Sequence, residues 1–170
     1  MTYAIRRAIF VTVIAIVGGI IGWLVSVSDW RMSLPLGIFY VLLVINTFPS
    51  VQIFSSIIPQ DDGKHALADI LIAVIYICLV ASFGNPEQFA LCALVLFLTA
   101  AAKYSLLVEE IPHPHLLQRK IRVDLLGALL CAGVLAAMNF GWTLPAAWAL
   151  AVVFLLANIY VLWVKPLYRL

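Results

Sequence analysis

Lys103 stands inside an otherwise uncharged apolar run, Phe89 to Val108, and two acids, Asp69 and Asp124, stand near the start of two other such runs. An ionisable group in an apolar segment long enough to cross a bilayer is expensive, so it points to an ion or proton pathway and calls for a partner. Spacing supplies one. Asp69 lies 16 positions before Asn85 and Lys103 lies 18 after it, with a Gly-Asn-Pro turn signal between them. At about 1.5 Å of rise per residue, two antiparallel helices place both groups at nearly the same depth. The same reasoning sets Asp124 level with Asn158. A lysine beside a carboxylate can bind an anionic solute, gate an ion or relay protons. The competing reading is structural: Lys103 snorkels to the headgroups, while Asp69 and Asp124 complement helix N-termini.

A second candidate is Asn46-Thr47-Phe48-Pro49-Ser50-Val51-Gln52, where amides and hydroxyls surround a proline at mid-depth. Pro49 cannot donate to the carbonyl of Ile45, so a kink is expected there, and a broken helix beside Asn46 and Gln52 is one way transporters build a site. The alternative is a proline kink stabilised by Ser and Thr. The candidate pathway is therefore Asn46, Pro49, Gln52, Asp69, Lys103, Asp124 and Asn158.

Other chemistry finds less support. In Glu109-Glu110-Ile111-Pro112-His113-Pro114-His115, an extended His-Pro-His would throw both imidazoles to one side. A metal centre normally has three or four protein ligands, and His65 is the one further histidine, so His113 and His115 are weak candidates and no metal or cofactor is expected. Cys78, Cys92 and Cys131 each lie in an apolar run without C-x-x-C spacing and read as packing residues. No nucleophile elbow, phosphate-cradling loop or H-E-x-x-H helix occurs.

The elements that must position these residues follow from composition. The chain is 65% hydrophobic and 11% charged, far from the quarter or so of charged residues usual in soluble domains. Its mean hydropathy of +1.13 makes the bilayer its solvent. Six segments are long enough to span: 8–27, 34–58, 66–83, 89–108, 123–140 and 146–164. They are uniformly apolar rather than alternating, so the fold is all-α, one six-helix transmembrane bundle with very short outer loops. Although Arg6-Arg7 before an apolar stretch resembles a signal peptide, 8–27 exceeds a signal core of about 7–15 residues and reads as a retained first span.

Eight of the ten Lys and Arg residues fall at the N-terminus, the second and fourth gaps and the C-terminus, against Arg31 alone in the other gaps. The positive-inside rule then places both termini in the cytoplasm, in a prokaryotic inner membrane. Trp23, Trp30, Trp142 and Trp148 fall at the outer interface, as an aromatic belt should.

Ala15-x-x-x-Gly19, Gly18-x-x-x-Gly22 and the stripe Ala128, Ala132, Ala136 let helices approach closely, chiefly within the molecule. Beyond the lipid, expected partners are a second copy or a larger membrane complex, met through those faces or the 109–122 loop. A net charge of +2 gives no nucleic-acid site. The leading reading is a small transporter or channel-like protein moving an ion or small polar solute. A non-catalytic membrane subunit is the alternative, and an intramembrane enzyme on a lipid-linked substrate comes third.

Overall fold

The computed structural model describes residues 3–27, 29–57, 63–108 and 114–167, with the side chains of 63–66 excepted. It is all-helical over these residues: α1 (Tyr3–Ser26), α2 (Trp30–Ile57), α3 (Gly63–Ala81), α4 (Pro86–Leu107), α5 (Pro114–Asn139) and α6 (Thr143–Ile159), the last continued by a π-helical turn, Tyr160–Val164. Five of them are long and apolar enough to cross a membrane, counting α6 together with its π-turn, while the apolar part of α3, Leu67–Ala81, is shorter. In hydrocarbon every backbone N–H and C=O must be satisfied within the segment, which only a helix of this length achieves alone. The chain is a multi-pass membrane protein.

The connections at one end are three or four residues long, and their chemistry is local. Asn85 caps α4 by accepting from the Gln88 amide at 3.1 Å, with Pro86 at the first helical position. Gly141, at φ +84°, ends α5: its amide reaches Met138 O at 2.9 Å and that of Trp142 reaches Ala137 O at 3.1 Å. This paired closure needs the left-handed conformation that glycine takes without strain. The other end carries both termini. There Arg119 of α5 donates to the carbonyls of Lys165 and Pro166, which the end of the α6 segment leaves without helical partners.

Two sequence expectations are corrected here. α2 runs through Pro49 without a break, so there is no broken helix at mid-depth. The gap expected over 109–122 is shorter, because α5 already begins at Pro114, a residue suited to a helix start. Residues 109–113 lie outside the described set.

Helix neighbours form a closed ring in the order α1, α2, α6, α5, α4, α3 and back to α1, with α4 also leaning on α2 and α6. On the α2/α4/α6 side the ring is filled. Phe39, fully buried, meets Phe154 at 4.3 Å and Phe89 at 5.7 Å between ring centroids, and Phe97 packs beside them. Such contacts hold helices together where lipid removes the hydrophobic drive. Small residues set the other seam. A β-carbon on Gly19 would run into the Tyr40 ring, and one on Gly22 would lie 2.6 Å from the Val80 carbonyl oxygen. The small-residue motif of α1 thus serves packing inside the molecule.

Candidate functional site

Between α1, α2, α3 and α4, with α5 closing one end, lies a cavity of about 880 Å³. Its charged residues all sit toward the end that carries the termini. Arg7 of α1 and Lys103 of α4 share one carboxylate: Arg7 Nη2 donates to Asp69 Oδ2 at 2.6 Å, and Lys103 Nζ donates to Asp69 Oδ1. The Lys103 side chain is 11% exposed and that of Asp69 35% exposed. The Asp69–Lys103 pair expected from hairpin spacing therefore forms. Lys103 turns inward to it rather than out to the headgroups.

A second pair lies on α5. Lys120 Nζ donates to Asp124 Oδ1 one helical turn along, with the Asp124 side chain 1% exposed. Asp124 Oδ2 has no hydrogen-bond partner among the described residues. A buried carboxylate with half its acceptors idle is unfavourable for folding. Lys103 and Lys120 both lie near the Tyr104 ring, 5.9 and 5.5 Å from its centre, and so bring the charges of α3, α4 and α5 into one polar floor.

At mid-depth the walls turn to neutral polar groups. Thr47 Oγ1 donates to Leu43 O at 2.8 Å, so its bond of 2.7 Å to Tyr76 has the tyrosine as donor and ties α2 to α3. Asn46 also lines the cavity, and its Oδ1 finds no partner among the described residues. Tyr40, whose hydroxyl donates to Ala15 O at 2.7 Å, closes this level. Beyond it the lining is apolar, from Gly18 and Ile21 on α1 to Ile77 and Val80 on α3.

The expected pathway residues thus separate. Asn46, Asp69, Lys103 and Asp124 line one cavity; Pro49 and Gln52, half-buried on α2, and Asn158, buried on α6, are not in its lining. Asn158 Nδ2 donates to Phe154 O at 2.9 Å within its own helix, so Asp124 pairs with Lys120 instead of with Asn158. His113 falls outside the described residues and His115 is exposed. No group of three His, Cys, Asp or Glu occurs among the described residues.

Sequence reading missed Arg7 and Lys120, which it used only to orient the chain. The Lys120–Asp124 spacing of four was a usable signal once helix α5 was extended back to it. The bond from Arg7 to Asp69 had no local signal. Compared with protein-family models, with curated proteins and with solved structures, the chain matches none.

Proposed function

We propose that this chain is a small transporter or channel-like protein of a prokaryotic inner membrane, moving an ion or small polar solute by way of the cavity. Both termini lie in the cytoplasm, and the charged floor is the cytoplasmic end of the pathway. One observation carries the reading: four helices bring five ionisable side chains to the same end of one open cavity. Packing alone does not need them there. Apolar side chains of similar volume hold a bundle as well as buried ion pairs or better. Charges retained at such a site mark a pathway.

The orientation rests on Arg6, Arg7, Arg119, Arg122 and Lys165 at the end with the termini, against Arg31 at the other. In this arrangement Asp69 is the movable element. Held by Arg7 on one oxygen and Lys103 on the other, it exchanges either partner for a charged solute without leaving the remaining one alone. Asn46, Thr47 and Tyr76 then offer neutral hydrogen-bonding groups at the next level.

The test is flux into proteoliposomes carrying the wild type, Asp69→Asn or Lys103→Met, with solute mixtures of either charge. Wild-type flux that falls at least tenfold in both variants, with the protein still folded, is the expected result. Unchanged flux in both removes the transport reading. Reporter fusions at each terminus check the orientation independently.

The reading as a membrane subunit has one favourable observation. Ala132, Gly133 and Ala136 of α5 face outward, and a β-carbon on Gly133 would meet nothing within 4 Å. Native mass spectrometry after gentle extraction, giving a lone chain, decides against it.

A further inference from the structure

The cavity changes character along its length in a way that a path for small hydrated ions would not. Three of the four helices that wall it, α1, α3 and α4, run from charged to apolar in the same direction. On α1 the lining passes from Arg7 to Phe10, Ile14 and Gly18; on α3 it passes from Asp69 to Ile72, Ile77 and Val80. A bare cation or a small sugar leaving the charged floor would have to be stripped of water against hydrocarbon walls, with no polar group beyond Tyr40 and Tyr76 to replace it.

The apolar half is also open at its sides. Phe10, Ile14, Ile21 and Ile77 line it and yet remain more than half exposed. An apolar space of this size beside lipid takes up apolar matter rather than water. Its volume, about 880 Å³, lies in the range that holds a whole small organic molecule. The floor adds a sign: Arg7, Lys103 and Lys120 against Asp69 and Asp124 leave one net positive charge.

We propose that the cavity binds a single-chain anionic amphiphile, its head at Arg7 and Lys103 and its chain along α1 and α3 toward Val80. This rests on the functional reading above for its site and narrows the solute there to an ion that carries an apolar chain. An anionic head restores neutrality at the floor and competes with Asp69 for Lys103. The chain fills the space beside Gly18, where a β-carbon would meet nothing within 4 Å. Carboxylate and phosphate heads share the required chemistry, and the experiment separates them.

The protein in phosphatidylcholine nanodiscs is titrated with a fluorescent sixteen-carbon carboxylate. Palmitate, hexadecyl phosphate, hexadecanol, acetate and inorganic phosphate serve as competitors. Saturable binding is expected, displaced by palmitate or hexadecyl phosphate, whichever head is preferred. Hexadecanol, acetate and inorganic phosphate should each displace it at least tenfold less well. Gly18→Leu projects into open space and should weaken binding at least tenfold with the fold intact. Gly133→Leu, outside the cavity lining, should leave it unchanged. Lys103→Met should remove the preference for a charged head.

Partitioning equal to that in empty nanodiscs overturns the proposal. So does displacement by inorganic phosphate or hexadecanol as strong as by the long-chain anions, or wild-type binding in Gly18→Leu. Binding is read without flux, so the two readings fail separately. A chain that binds the amphiphile but moves nothing refutes transport alone, and one that conducts a small ion without binding it refutes this inference alone.

Discussion

Three glycines within five residues of α1 face three different surroundings, and alanine at each should separate them. At Gly18 a β-carbon meets nothing within 4 Å, so Gly18→Ala keeps only the gain in helix propensity, about 0.5–1 kcal/mol. At Gly22 the β-carbon would sit 2.6 Å from the Val80 carbonyl oxygen and 3.1 Å from its carbon, where ordinary contact begins at 3.4 Å. The α1–α3 seam would have to open by about 0.8 Å at a backbone atom, which no side-chain rotation relieves. Forcing a methyl group into such a site costs about 1–3 kcal/mol. After the propensity gain, Gly22→Ala should lose about 1–2 kcal/mol. Gly19→Ala runs into Tyr40 Cε1 and meets Cδ1 at 3.1 Å, but the ring is a side chain that yields more readily than the backbone at Gly22, so the loss should be about 1 kcal/mol. Unfolding in mixed micelles by titrated dodecyl sulfate, followed by far-ultraviolet circular dichroism, measures all three. The expected order is Gly18→Ala above the wild type, then Gly19→Ala, then Gly22→Ala. Gly22→Ala as stable as Gly18→Ala would refute the close α1–α3 approach and with it the shape of the cavity.

The two paired carboxylates make separate predictions in the same assay. Asp69→Asn leaves Arg7 and Lys103 without their shared carboxylate and should lose about 1–2 kcal/mol, a figure held down by their partial exposure. Lys103→Met, which preserves the Arg7–Asp69 bond, should lose less; equal losses would show that Asp69 is not shared. Lys120→Met strips the donor from Asp124 Oδ1 in a fully buried site and should lose about 3–5 kcal/mol. Lys120→Met/Asp124→Leu should recover most of that, and a double variant as weak as the single would mean that packing, not charge, is at stake.

Helix identity was legible because the length and uniform apolarity of the runs settle it in a bilayer. The expected spans lie inside or within a few residues of the observed helices. The Asp69–Lys103 pair was legible for a related reason: consecutive antiparallel helices joined by a short turn share a depth scale. Depth alone does not say which way a side chain points, and that is why Asp124 and Asn158, level by the same count, pair elsewhere. Arg7 was hidden because its partner lies 62 residues on, across a seam set by the order of the ring rather than by the chain. Lys120 was read as part of a solvated charged loop, since Gln-Arg-Lys-Ile-Arg looks like one until Pro114 is seen to start the helix. Pro49 misled in the opposite sense: α2 continues through it, because a span tolerates proline where its surroundings accommodate the freed carbonyl.

The sharing of Asp69 also bears on how the protein is made. A nascent membrane chain releases its helices in order, and an acid entering lipid before its counter-ion arrives would resist insertion. Here the chain order works against that. Arg7 has been synthesised long before Asp69 follows and can hold its carboxylate until Lys103 emerges with α4. Asp124 comes one turn behind Lys120 on the same helix. Both acids of the cavity therefore follow in the chain a cation that they meet in the folded bundle, an order compatible with stepwise insertion.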